Sequence, residues 1–322
     1  MRAVTNPDKN RLELVDLPEP EPAAGEVLID VVAAGVNRAD LAQVAGVYPP
    51  PSGASPLPGL EVSGYRRDTG EPVVALLAGG GYAEVVAVPE VQVLPAPPSL
   101  PLAEAAGLIE VAATVVSNLV IEAGLDAGTG GAEPQTVLIH GGTGGIGTFA
   151  IQFAHALGAR VLTTVGSDEA VDTVRSLGAD LAWNRRTADV PRAVREAGGA
   201  DIILDIVGGP ALNDNVGMLR EFGRLVIIAT LGGESGLLNA GALMRKRGRI
   251  IGTTVRSRAS WDKQRILERT RELVWPMLEE GRIRIPIHAR VPLAEAARAH
   301  RVLLDGGHLG KVILDVADAA GA

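Results

Sequence analysis

The 322-residue chain contains no cysteine and only three each of phenylalanine, tyrosine and tryptophan. Without cysteine there is no disulfide, no thiolate nucleophile and no cysteine-ligated zinc, a composition that fits a reducing compartment. With so few aromatic rings, any pocket is expected to be mostly aliphatic. Uninterrupted apolar runs of the roughly 18 residues that span a bilayer are missing too. The opening MRAVTNPDKNRLEL is charged within its first ten residues, so neither a membrane partner nor a signal peptide is expected and the cytoplasm is the default location. Positive charge is in deficit, with 30 Lys and Arg against 38 Asp and Glu for a net charge of −8, which gives nucleic acid no general basic surface. Two basic clusters, at Arg185 and Arg186 and in MRKRGR (244–249), read as solvated helix ends. The histidines (His140, His155, His288, His300, His308) lack the spacing of metal ligands.

What the chain does have is apolar residues, 47% of the total, enough for a large core and a length that suits two domains. The organising stretch is TVLIHGGTGGIG (136–147), an apolar β-branched run followed by Gly142, Gly144 and Gly147 in GxGxxG spacing. A helical pattern to Gly158 and a second strand, 159–165, complete a βαβ unit. Glycines there allow a tight turn and close approach to a pyrophosphate, and the helix start offers unpaired N–H groups. Alternation continues, with strands expected at 180–183, 201–205, 224–229 and 249–255 and helices around 169–177, 191–197, 211–221 and 237–247. Six strands make a doubly wound parallel α/β sheet, a complete Rossmann domain.

Residues 1–100 differ. They are β-rich and broken by proline loops at 18–26 and 48–59, with strands expected at 26–34, 73–77 and 82–88. A helical stretch from 101 to Gly124 marks the crossover between domains. The tail carries a helix near 263–280, a strand at 284–291, the helical AEAARAHRVLLDG and a closing strand, KVILDV (311–316).

Several positions bear on chemistry. The turn after the second Rossmann strand reads Val165, Gly166, Ser167, with no carboxylate at the strand tip to take a ribose 2′-hydroxyl. Ser167 is free to bind a 2′-phosphate, and Arg185 or Arg186 lies where a cation would reach it, which favours NADP over NAD. Asp168 and Glu169 follow at once, either to favour a helix start or to repel such a phosphate. Tyr48 is either a proline-packed loop aromatic or a residue at the substrate or nicotinamide. Glu61 is either a buried, paired carboxylate or a participant in proton transfer, and His140 reads as a satisfied core histidine.

With these residues in view, the chain resembles the zinc-free quinone oxidoreductase branch of the medium-chain dehydrogenase/reductase superfamily, of the ζ-crystallin type. The likeness rests on AAGVNRADLAQVAGVYPPPSGASPLPGLEVSG, HGGTGGIGTFAIQFAHALGARV, DIVGGPALNDNV, RGRIIGTTVRSR and GHLGKVIL. In the zinc alcohol dehydrogenases of that superfamily the positions of Asn37 and Leu60 hold a cysteine and a histidine ligand; neither is present here. The resemblance implies a GroES-like β-barrel catalytic domain, 1–115 completed by 280–322, with the Rossmann domain, 116–279, inserted. It implies NADPH in the cleft between domains, with Asn37, Tyr48 and Thr114 near the nicotinamide, Gly144, Gly145, Ile146 and Gly147 on the pyrophosphate and Ser167 at the 2′-phosphate. Val207, Ala229, Leu231, Val255 and Lys311 would line the remainder. It further implies a homodimer, or a tetramer of dimers, joined edge to edge through the last Rossmann strand.

This sequence departs from the family where a lysine three residues after Ser167 is replaced by Ala170, and where Arg185 replaces a frequent tyrosine, so NADH stays open as the cofactor. The loop before the strand at Val73 is also shorter than usual. The expected function is metal-free hydride transfer from NADPH to a quinone or enone, with Asn37 and Tyr48 as the candidate catalytic pair and Tyr48 or solvent as the proton source for an enone. The alternatives are an enoyl or enone reductase of a biosynthetic pathway, and a non-catalytic NADP(H)-binding sensor or structural protein.

Overall fold

The computed structural model describes residues 1–126 and 133–317. They form two compact units, one of residues 1–113, 255–281 and 285–317, the other of residues 114–126, 133–254 and 282–284.

The first unit is a β-structure. A short hairpin, β1 (Arg2–Thr5) and β2 (Glu13–Asp16), precedes the long strand β3 (Glu26–Val36) and a short helix α1 (Arg38–Val44). Then come β4 (Glu61–Arg66), β5 (Pro72–Leu76), β6 (Val85–Pro89) and β7 (Val93–Pro95), followed by helices α2 (Leu102–Ala105) and α3 (Ile109–Val115). Alternating burial along β3 places Val27, Ile29 and Val31 on the inner face, where Val62, Val73, Tyr82, Val88 and Val312 meet them. β3 is the hub. It pairs with β4 and β6, and its far end pairs with a strand from much later in the chain.

The helical run from α3 continues through a π-helical segment, Val116–Glu122, and ends at Gly124, whose φ of +67° is natural to glycine. By length and apolarity the run Leu102–Glu122 would pass for a membrane span, with mean hydropathy 1.6, but 78% of that window is buried inside the protein and it is a core helix.

The second unit holds a six-stranded parallel sheet. Its strands are β8 (Thr136–His140), β9 (Arg160–Val165), β10 (Leu181–Asn184), β11 (Ala200–Asp205), β12 (Leu219–Ile227) and β13 (Arg249–Gly252). They lie in the order β10-β9-β8-β11-β12-β13, reversing direction of growth at β8, as in a doubly wound fold. Helices α4 (Gly145–Ala156), α5 (Glu169–Ser176), α6 (Val190–Glu196), α7 (Leu212–Met218) and α8 (Ala240–Arg245) make the crossovers. β8 is buried at all five positions, as befits a strand with neighbours on both edges and helices on both faces.

The chain then returns to the first unit through the 20-residue helix α9 (Ser260–Glu279), β14 (Ile287–Pro292), α10 (Ala296–Asp305) and β15 (Lys311–Asp315). β15 pairs antiparallel with β3, Val312 opposite Val36, and parallel with β14. The tail therefore completes the first unit's sheet.

The pattern of long elements agrees with the sequence reading. Five elements escaped it: β1, β2 and β7 lie in segments broken by proline and charge, β4 (EVSGYR) is interrupted by Ser63 and Gly64, and α1 at seven residues is too short to show a helical period. β12 begins five residues before the expected 224, because a register shift between Ala200 and Ile202 lets Leu219 pair with Ala200. β13 stops at Gly252 rather than Val255, and β6 begins at Val85 rather than Tyr82. The helix α9 groups with the first unit, where the Trp275 indole donates to the carbonyl of Pro95 at 3.2 Å, whereas the sequence placed residues up to 279 in the nucleotide-binding domain.

One glycine ties fold to site. A Cβ on Gly35, in β3, would overlap the Glu61 carboxylate and the carbonyl of Ala106. Gly35→Ala is expected to destabilise the protein by about 1–3 kcal/mol through overpacking; an unchanged midpoint in urea unfolding would show that β3 and β4 can separate at no cost.

Candidate functional site

The first unit gathers three of the predicted residues by strand register. β15, β3 and β4 are neighbours, so Lys311 at the start of β15, Asn37 just past β3 and Glu61 at the start of β4 come together. Lys311 Nζ donates to Glu61 Oε1 and Asn37 Oδ1, each at 2.6 Å, and to the carbonyl of Val36 at 3.1 Å. The Asn37 amide donates to the same Glu61 oxygen at 3.0 Å, and the other Glu61 oxygen accepts from the N–H of Glu110. Lys311 and Glu61 are almost completely buried, so a charged pair stands in low dielectric with every ammonium proton used. Of the two readings of Glu61, the structure shows the paired carboxylate.

Beneath this group lies a second buried cluster. Asp40, in the first turn of α1, accepts from the N–H of Asn37 at 2.7 Å, the N–H of Gly59 at 3.2 Å and the Tyr82 hydroxyl at 3.0 Å. It thereby fastens both ends of the loop that carries Tyr48. Tyr82 has one proton, given to Asp40, so the 3.1 Å contact with His300 Nε2 is one in which the imidazole donates. Burial pushes the Asp40 carboxyl up from 3.8 to about 6, against the hydrogen bonds from Asn37 and Tyr82 and the charge of Lys311, with Glu61 adding to the rise. Burial alone pulls His300 down to about 4.

Tyr48 is half-buried in the proline-rich loop, and Arg256 lies against its ring, the guanidinium carbon 5.1 Å from the centroid. Val255, which precedes Arg256, is partly buried, and its carbonyl accepts from the N–H of Arg258.

In the second unit the glycine turn has the form expected of an anion cradle. Gly141 is at φ +76°, and a Cβ on Gly147 would overlap its carbonyl, so the turn closes only with glycine there. At Gly144, the residue before α4, a Cβ would find nothing nearer than the Gly141 carbonyl at 3.8 Å. Gly144 is the N-cap of α4, and in the first turn Gly145, Ile146 and Gly147 carry N–H groups with no acceptor inside the helix. The residues fit a pyrophosphate.

Arg185 reaches back to the turn after β9, with Nη1 3.4 Å from where a Cβ of Gly166 would stand. Arg185 thus lies against Gly166, the residue before Ser167, while the Asn184 side chain accepts from the Arg186 backbone N–H and donates to the Asp168 carboxylate. The Ser167 hydroxyl hydrogen-bonds the exposed Glu169 carboxylate, which lowers the pKa of that acid after the larger effect of its own backbone N–H. Asp205, fully buried at the end of β11, caps the following turn by accepting from the N–H groups of Val207 and Gly208. Val207 in turn accepts from Gly232, and Ile206 from Leu231, so Val207 and Leu231 share one loop pair at the carboxyl ends of the strands, with Ala229 leading into it. Thr114, nearly buried, gives its carbonyl to the Asn118 amide, which also accepts from Thr253. His140 contacts Thr164 and, through Nε2, Asn215 Oδ1, and burial lowers its pKa; it is a neutral core histidine.

A family model described as zinc-binding dehydrogenase matches residues 145–269. The mouse quinone oxidoreductase is 29% identical over 93% of this chain and 92% of its own length. The quinone oxidoreductase of Thermus thermophilus, solved alone and with NADPH, is 32% identical and superposes with a TM-score of 0.84 over 98% of this chain and all of that one. The chain belongs to the quinone oxidoreductase branch of the medium-chain dehydrogenase/reductase superfamily. It is thus a member of a family of NAD(P)H-dependent oxidoreductases. A stretch of a Mycobacterium tuberculosis phenolphthiocerol/phthiocerol polyketide synthase subunit is also similar, 28% identical over 92% of this chain but only 14% of that protein.

For this quinone oxidoreductase relative, sequence reasoning missed Asp40, Gln43 and Arg256. An Asp three residues after Asn37 is a signal for a helix start, but its burial, like that of Arg256 at 6% exposure, leaves no mark in a sequence that carries charged residues throughout.

Two outcomes test these clusters. Lys311→Met leaves the Glu61 charge buried and unpaired and is expected to cost about 3–5 kcal/mol, most of it regained in Lys311→Met/Glu61→Gln; urea unfolding of the three proteins closes the cycle. Asp40 and His300 oppose each other in pH dependence. Asp40, raised, contributes stability present below 3.8 and lost as pH rises through about 6, while His300, lowered, is destabilising below about 4 and recovers as pH approaches 6.5. Melting from pH 4 to 7 should therefore rise more steeply with pH in Asp40→Asn than in the parent, and less steeply in His300→Gln; parallel curves would contradict the assignment.

Proposed function

We propose that this oxidoreductase uses NADPH to reduce a quinone or an enone without a metal. The observation that carries the reading is the start of α4, where a turn that closes only with glycine at Gly147 leads into a helix whose first N–H groups have no acceptor within it. The NADPH complex of the Thermus relative supports the choice of cofactor. When bound, NADPH supplies the hydride.

The chain's own residues bind and orient. The N–H groups of Gly145, Ile146 and Gly147 are assigned to the pyrophosphate, and Ser167 with Arg185 to the 2′-phosphate, Ser167 exchanging its bond to Glu169 for the ligand. Asn37, Tyr48 and Thr114 are assigned to the nicotinamide and substrate end, and Val207, Ala229, Leu231 and Val255 to the remaining contacts; Lys311, buried with its three ammonium protons committed to Glu61, Asn37 and the Val36 carbonyl, serves by holding Asn37 in place. Asn37 cannot swing freely, because its amide is fixed between the Glu61 carboxylate and the Lys311 ammonium. That ammonium is also the argument against a metal at this position: a cation on the Asn37 oxygen would compete with one already 2.6 Å away. A quinone takes its protons from water after reduction, whereas an enone needs one delivered to carbon, which is assigned to the Tyr48 hydroxyl. Burial raises the pKa of that phenol, so it is protonated at neutral pH.

The similarity to a polyketide synthase subunit over 92% of the chain favours a second substrate class, conjugated enones or thioesters of a biosynthetic sequence. A protein that binds the nucleotide without turnover would show tight NADPH binding and no oxidation by any acceptor. The cytoplasm as location belongs to the same proposal. So does a homodimer joined through β13, the last strand of the six-stranded sheet, whose outer edge pairs with no other strand among the described residues.

The test is fluorescence titration with NADPH and NADH, then stopped-flow oxidation of the bound cofactor by 9,10-phenanthrenequinone, 1,4-benzoquinone and a series of enones. NADPH should bind more tightly, and Arg185→Ala should weaken it about tenfold, the worth of one charge-assisted contact, while leaving NADH unchanged. Equal losses for both cofactors would remove Arg185 from the 2′-phosphate.

A further inference from the structure

Arg256 is not among the residues assigned to cofactor or substrate, yet it is the buried cation that lies against Tyr48. Arginine is seldom buried this fully unless paired, and here all three of its acceptors are neutral. Nε donates to the carbonyl of Ala78 at 2.8 Å, Nη1 to the carbonyl of Tyr48 at 3.1 Å and Nη2 to the side-chain oxygen of Gln43 at 2.5 Å. These acceptors come from three places in the chain: α1, the proline-rich loop that follows it, and the turn after β5. The same guanidinium lies over the Tyr48 ring, its carbon 5.1 Å from the centroid.

We propose that Arg256 is the positioning residue of Tyr48, its planar fork stapling the loop to α1 and to the turn after β5 while its face fixes the phenol ring. The proposal rests on the assignment of Tyr48 to the substrate end. A loop rich in proline and glycine holds a side chain only as well as its ends are tied. Asp40 ties those ends, and Arg256 ties the middle. A lysine, as a point charge on a flexible stem, would supply the charge without the three-way geometry.

The arrangement also tunes the phenol. Burial and the charge of Glu110 raise the Tyr48 pKa, and Arg256 opposes both. Asp40 and Lys263 are the other charged groups that act on the guanidinium. In enone reduction, bound NADPH would supply the hydride for the β-carbon, and the part of Tyr48 is to give its hydroxyl proton to the α-carbon, which completes saturation of the double bond. The phenolate left behind faces the guanidinium, and water returns its proton. Arg256 thus stabilises the form of Tyr48 that proton delivery creates.

The full-length protein with 13C at the tyrosine Cζ gives three signals, for Tyr48, Tyr65 and Tyr82, and Tyr48→Phe identifies one. In Arg256→Gln the Tyr48 signal is expected to shift and broaden and its alkaline transition to move up by about one pH unit, with Tyr65 and Tyr82 unmoved. The same variant should lose about tenfold or more in kcat for an enone, and much less for a quinone. Arg256→Lys should restore the transition but not the sharp signal. A Tyr48 signal and transition identical to the parent's in folded Arg256→Gln overturns the proposal. If that variant does not fold, a sharp, unshifted Tyr48 signal in Arg256→Lys overturns it. Enone reduction at the parent rate by Tyr48→Phe overturns instead the assignment of Tyr48 to the substrate end, and the staple then stands or falls on the NMR signal alone.

Discussion

The first unit depends on a buried ion pair, Lys311 with Glu61. Lys311 and Glu61 sit where three strands converge, and their charges are tolerable only because each polar atom has a partner: Asn37, the Val36 carbonyl and the Glu110 N–H complete the set. Such a pair adds little net stability over a well-packed apolar substitute, but it punishes any arrangement in which one partner is missing. It therefore acts as a register mark. β15 can pair with β3 in other alignments as far as its apolar residues are concerned, yet only one brings the ammonium to the carboxylate.

Around that mark the polar residues form successive levels. Asn37 is held by the ion pair on its side chain and by Asp40 on its backbone; Asp40 is held by Tyr82, and Tyr82 by His300 of α10. Gly35 belongs to the same construction, since the carboxylate occupies the space its side chain would have filled. The second unit relies instead on backbone geometry. Glycines at 141, 144 and 147 shape a turn that presents N–H groups, and Asp205 shapes another by accepting two of them.

This division explains how much the sequence could disclose. The parallel sheet was legible because its strands are continuous apolar runs of useful length, and its helices alternate with them regularly. The glycine turn was legible because glycine spacing is itself the structure there. The first unit was legible only in part: β3 shows alternation, but β4 (EVSGYR) has its apolar pattern interrupted by Ser63 and Gly64, and α1 at seven residues is too short to show a helical period. That Lys311 belongs beside Glu61 is invisible to any local pattern, and it entered only as a contact residue implied by family resemblance. Arg256 shows the limit most clearly. In RSR (256–258) nothing local distinguishes it from a surface arginine, and only packing reveals that the first arginine is buried and that the second pairs with Asp262.

The long sequence separation within the ion pair also governs how the protein is made. Glu61 leaves the ribosome 250 residues before Lys311, an interval of roughly 10 to 50 seconds at ordinary rates of synthesis. For that time the first unit lacks both its closing strand and the counter-charge for the buried Glu61 carboxylate, while the whole six-stranded sheet has already emerged. Glu61 has then to remain hydrated, and β3 has to keep an edge uncovered. The order of synthesis accordingly favours a nucleotide-binding unit that folds first and a β-structure that waits, with a nascent carboxylate keeping it from sealing shut too early.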